Sequence, residues 1–181
     1  MADHILGALR RANRAVALIL GLALILTVAF ILTDVALRGL GLGSLGGSDE
    51  LSGYVMAAVA SWGLAFTLLE RAHVRIDILR LKLHDRGRAA MDILAMVVTN
   101  GTVLLIAFQC WPVLRKTIAG GSRANTPLET PLWIPQGIWF AGWLWFAISA
   151  TVVTLVALSF LVAGRGAALD GAIGIGSEVE S

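Results

Sequence analysis

Four long apolar blocks, separated by short polar connections, organise this chain. They cover roughly residues 15–37, 51–69, 92–114 and 132–163, each close to or beyond the ~20 residues that a helix needs to cross the hydrocarbon core of a bilayer. No charge lies from Leu51 to Leu69 or between Asp92 and Arg115, and the first block is broken only by Asp34 near its end. The blocks do not alternate apolar and polar residues with a period of two, as membrane-barrel strands would. The pattern therefore predicts an all-α integral membrane protein with four transmembrane helices in a single domain, 1–181. The fourth block has 32 residues, about 48 Å as a helix. That exceeds a core of about 30 Å, so this helix has to tilt, bend or extend beyond the membrane. Pro135 and Gly137 mark the place for a bend, and Gly164 and Gly166 mark the other end.

Basic residues set the expected direction, because cytoplasmic segments retain Lys and Arg. One side would hold Arg10, Arg11, Arg14, Arg71, Arg75, Arg80, Lys82, Arg86, Arg88 and Arg165, and the other only Arg38, Arg115, Lys116 and Arg123. Both termini are thus expected in the cytoplasm, with loops Gly39–Ser48 and Lys116–Thr130 facing outward. The first block is too long for the apolar region of a cleavable signal peptide and leads straight to Asp34 and Arg38, so it reads as a retained helix. Between the second and third spans, Ile76, Leu79 and Leu83 share one helical face while Arg75, Arg80 and Lys82 lie mostly elsewhere. That predicts a short amphipathic helix at Val74–Leu83, lying in the interface.

Composition narrows the function classes. With 57% apolar and 14% charged residues, the chain falls well short of the roughly 25% charged residues usual in soluble domains, and it has the opposite balance to disorder. A formal charge of +2 gives no basic stripe for nucleic acid. Cys110 is the single cysteine, so no internal disulfide forms and no metal-ligand pair exists. His4, His73 and His84 fall outside the spans, which removes the axial ligands that a haem within the bundle would need. No cofactor is expected. Gly41, Gly43 and Gly46 formally match a dinucleotide fingerprint, but that motif works only between a strand and a helix. No nucleophile–base pair or carboxylate dyad is present, so the chain is not expected to be an enzyme.

The remaining candidates lie near the span ends. Ionisable groups inside spans are functional suspects, and Asp34 is the nearest case. Arg38 lies four residues on, on the same face, and Glu50 opens the next span at similar depth, so an Asp34–Arg38–Glu50 cluster is expected at the outer boundary. It would lock two helix ends or dock a partner. Ser48, with Asp49 and Glu50 behind it, has the chemistry of a helix cap; Thr126, Pro127 and Glu129 have cap, first-turn proline and capping-box spacing, and Thr130–Pro131 offers a second start. Gly53, Ala57, Ser61 and Ala65 form a small-residue stripe that lets helices approach closely, and Asn100 and Gln109 suit interhelical hydrogen bonds. Trp62 lies near mid-span, away from the usual aromatic belt, whereas Trp111 and Trp133 fit it.

In their order along the chain these features resemble the small membrane subunit, of DctQ type, of tripartite ATP-independent periplasmic (TRAP) transporters. The matching pieces are Asp34-Val-Ala-Leu-Arg38, Glu50-Leu51, Trp62 in mid-helix, the stretch Glu70-Arg71-Ala72-His73-Val74-Arg75-Ile76-Asp77, and the Trp-rich entry to the fourth helix. They span roughly residues 14–160. The resemblance implies a multi-pass subunit of the bacterial inner membrane. It implies two protein partners besides membrane lipid: a large permease subunit holding the sodium and substrate sites, and a periplasmic solute-binding protein. Asp34, Arg38, Glu50, Trp62, Arg71, His73 and Asp77 would be structural or partner-docking residues. The activity implied is scaffolding for sodium-gradient-driven uptake of an organic acid. The alternative that composition and pattern leave open is a four-helix adaptor or anchor subunit of another membrane complex.

Overall fold

Charge-free apolar runs of span length fold as helices because nothing in a bilayer can satisfy their backbone groups except the helix itself. The computed structural model describes residues 2–71, 84–126 and 128–173. Its long helices are α1 (Ala2–Gly39), α2 (Ser48–Leu69), α3 (Asp85–Gly120) and α4 (Trp133–Val162), followed by a short α5 (Gly166–Ile173). All four long helices are long and apolar enough to cross a membrane. Among the described residues no strand forms beyond one antiparallel bridge, Arg123 to Pro131. Val74–Leu83, His73 and Asp77 lie outside the described residues, as does Pro127.

Three helices outrun their apolar blocks. The helix α1 has 38 residues and α3 has 36, because polar and charged residues at the span ends continue the helix. Pro112 sits inside α3, which runs on through it to Gly120. At its far end α4 is not left bare: Val156, Ala157 and Phe160 are buried in one apolar cluster with Leu6 of α1, Met96 of α3 and Leu169 and Ile173 of α5. One face of the far end of the fourth apolar block is thus covered by protein, while Leu161 and Val162 stay exposed. The sequence pattern gave no sign of α5, which packs on α4 and α3.

The helices pack as a layer rather than a square bundle. In space the order is α1, α2, α4, α3, with α2 between α1 and α4 and α4 between α2 and α3. Half of the most apolar stretch of α4 is buried inside the chain, against 6% of that of α1. So α4 is the central element and α1 the outermost one. The α2–α4 seam depends on Gly142, where a Cβ would stand 2.4 Å from Ser61 Oγ and 2.6 Å from Trp62 Cδ1. Ser61 and Ala65, the deeper half of the small-residue stripe, are buried at this approach, while Gly53 is exposed. Polar bonds stitch the other seams. Thr151 Oγ1 donates to Asn100 Oδ1 (3.0 Å), joining α4 to α3, and Trp145 Nε1 donates to buried Asn13 Oδ1 (3.1 Å), joining α4 to α1. Gln109 is exposed.

Candidate functional site

The α1–α2 connection is built around one carboxylate. Asp34, on the last turns of α1, is fully buried. Its Oδ1 accepts from Ser44 Oγ (2.8 Å) and the Leu45 backbone N–H (2.7 Å), and its Oδ2 accepts from Ser48 Oγ (2.9 Å) and the Arg38 guanidinium. The Asp34 side chain is 1% exposed and that of Arg38 50%, so the cation reaches into the knot from the surface. With four donors in place, a buried carboxylate has the partners its burial demands.

Glu50 lies in the first turn of α2 and is also buried, yet it takes different partners: Tyr54 Oη donates to its Oε1 (2.5 Å) and Thr126 Oγ1 to its Oε2. The structure therefore divides the expected Asp34–Arg38–Glu50 cluster into two neighbouring knots. Asp34 and Arg38 close the α1–α2 loop, and Glu50 ties α2 to the α3–α4 loop. That second loop is itself closed, with Ala124 N–H on Thr130 O (2.9 Å) and Leu132 N–H on Ser122 O (3.0 Å). Leu128 from it lies against Gly47, where a Cβ would come within 2.3 Å of Leu128 Cδ1.

Two expected caps are replaced by these knots. Gly47, with φ 70°, is the N-cap of α2, and no side chain caps that helix; the Ser48 hydroxyl is spent on Asp34. Thr126 does not start α4, which begins at Trp133 after Leu132 without a side-chain cap; its hydroxyl is spent on Glu50. The reason is competition. A hydroxyl near a buried carboxylate makes the stronger, charge-assisted bond and leaves the helix end to backbone turns, such as Ile134 N–H to Pro131 O (3.1 Å).

Trp62 ties the helices of its own chain. Its Nε1 donates to Ile138 O of α4 (2.9 Å). Arg71 follows α2 with φ 57°, its N–H bonded to Leu68 O (3.2 Å). Glycine usually fills that left-handed position after a helix; arginine there carries a backbone cost of about 1–2 kcal/mol. At the same end, Arg14 and Glu70 pair across α1 and α2 at 3.7 Å, both solvent-accessible. Asn13 is the functional-looking residue that the span pattern passed over; its signal was an amide wedged among Arg10, Arg11 and Arg14 just before the apolar run.

Between α2, α3 and α4 an open groove of ≈ 380 Å³ is lined by Tyr54, Ala57, Val113, Pro135, Gln136 and Trp139. The buried Oε1 of Gln136 has no partner among the described residues. No group of three His, Cys, Asp or Glu side chains among the described residues could hold a metal.

Residues 27–162 match the family model for tripartite ATP-independent periplasmic transporters, DctQ component. Neither the curated proteins nor the solved structures contain a match to the chain.

Proposed function

The chain belongs to the DctQ component family of TRAP transporters, and from that premise we propose that it is the brace on which the large permease subunit is held, and part of the surface where a periplasmic solute-binding protein docks. It is a small transmembrane permease subunit of the inner membrane, from a family of transporter components rather than enzymes. The observation that carries the bracing role is the use made of two of the three buried carboxylates near the span ends among the described residues. Asp34 and Glu50 are saturated with bonds to loops and neighbouring helices. Neither stands free to carry a proton or a sodium ion, as a coupling acid within a span would.

In this role both termini are cytoplasmic, and the two knotted loops face the periplasm. They form a fixed platform from which Arg38 and the other charges of that end meet the binding protein. The large subunit carries an organic acid inward, driven by the sodium gradient, while this chain stays still. Its peripheral α1, with almost none of its apolar stretch buried internally, leaves a broad surface for a membrane partner. Arg71, Arg75, Arg80 and Lys82 hold the cytoplasmic end at anionic headgroups, each contributing about 1 kcal/mol near the surface. His73 and Asp77 belong to the same positioning segment.

Charge reversal tests this assignment. Arg38→Glu and Glu50→Lys are each expected to reduce co-purification of the large subunit in detergent, or solute uptake in cells, at unchanged expression. Wild-type co-purification and uptake with both variants would remove the two knots from the docking role.

A further inference from the structure

The loop joining α1 to α2 is at once apolar, exposed and pinned. From Gly39 to Ser48 it contains no charge. Leu40, Leu42 and Leu45 are 73%, 72% and 49% exposed, and Leu128, beside Gly47, is 55% exposed. We propose that this loop is a lipid anchor: its leucines insert into the membrane leaflet at the Asp34 end and fix the depth of the α1–α2 hairpin.

Depth decides between lipid and water as the surroundings of these side chains. The charge-free part of α1 runs from Ala15 to Thr33, 19 residues, about 28 Å as a helix, which nearly equals a hydrocarbon core of about 30 Å. With Arg14 at one boundary, Asp34 stands at the other. From there the chain does not climb into the aqueous phase. At Gly41, with φ 69°, it turns back on the helix, with Gly41 N–H on Arg38 O (3.2 Å) and Leu42 N–H on Leu37 O (2.9 Å). It then descends until Leu45 N–H and Ser44 Oγ reach the Asp34 carboxylate itself. Residues 42–48 are thereby held within about one helical turn of the boundary, the zone where apolar side chains enter the leaflet.

The bonds to Asp34 also lower the cost of insertion, because Ser44, Ser48 and the Leu45 N–H are already satisfied there. At that end Arg38 and the charges of the other loop are the groups that face a soluble partner, while the stretch from Gly39 to Gly47 presents leucine and glycine to the leaflet. The anchor needs neither the large subunit nor the proposed orientation, so it stands or falls apart from the bracing role.

A fluorescent label reads it directly. In a Cys110→Ala background, Leu42→Cys is labelled with an environment-sensitive NBD group, and the full-length chain is reconstituted alone in phosphatidylethanolamine–phosphatidylglycerol vesicles. The same label at Arg123→Cys, on the other loop of that end, is the aqueous reference. Leu42 is 72% exposed, so labelling it disturbs little internal packing. The anchor predicts blue-shifted emission at position 42 and quenching by lipids with a nitroxide high on the acyl chain, several-fold stronger than at position 123. Water-like, unquenched emission at position 42 overturns the proposal. So does equal quenching at both positions, or shielding that appears only after a large subunit or binding protein is added.

Discussion

Asp34 and Arg38 form an ion pair, but their weights differ. Asp34 gathers four donors in a buried place, whereas Arg38 is half in solvent and supplies one of them. Asp34→Ala strands buried donors at a cost of about 1–3 kcal/mol for each group left bare; Arg38→Ala removes a partly screened contact worth about 1 kcal/mol or less. Thermal unfolding in detergent is expected to rank Asp34→Ala well below Arg38→Ala, and equal losses would contradict this division. Gly142 belongs to the same scale. A methyl group there meets Ser61 and Trp62 far inside contact distance, so Gly142→Ala is expected to cost about 1–3 kcal/mol by overpacking, with partial recovery when combined with Ser61→Gly. At Arg71 the sign reverses. Arg71→Gly relieves the left-handed backbone and is expected to raise stability by about 1 kcal/mol, a gain the same melting experiment would show.

Among the elements, α5 is the one that the hydropathy pattern does not show. It has eight residues, yet Leu169 and Ile173 are 3% and 1% exposed against α4 and its neighbours. Leu169→Ala or Ile173→Ala is expected to cost about 2–5 kcal/mol, measured as a lower melting temperature; a change within error would mean that α5 only rests on the surface. Hydropathy could not show this helix, because a short segment of alanine, glycine and a few aliphatic residues has neither span length nor a strong stripe. The spans themselves were legible, since a run such as Leu51 to Leu69 has no alternative to a buried or membrane helix. Their ends were not. Residues such as Arg10 and Asp85 continue helices beyond the lipid, and nothing in hydropathy distinguishes a polar helical turn from a polar loop. The caps failed for another reason: Ser48 and Thr126 have the right chemistry at the right spacing, but carboxylates distant in sequence claim their hydroxyls. Asp34 and Arg38 could be paired from their four-residue spacing alone. The separation of Glu50 into its own knot needed Thr126, 76 residues away, which no local pattern reveals.

The whole molecule is a layer of helices with α4 at its centre and α1 at its edge, stapled at one end by two loop knots and at the other by the cluster around Phe160 and Ile173. Such an object has broad faces, and its buried Asp34 and Glu50 are both engaged by loops and neighbouring helices, which fits a frame better than a carrier. That is the central claim, and reconstitution tests it most directly. Proteoliposomes would hold this chain alone, or this chain with its large permease subunit, with binding protein, organic acid and a sodium gradient supplied to both. The account predicts gradient-driven uptake only where the large subunit is present, and a flat trace with this chain alone. Solute accumulation driven by this chain by itself would contradict it.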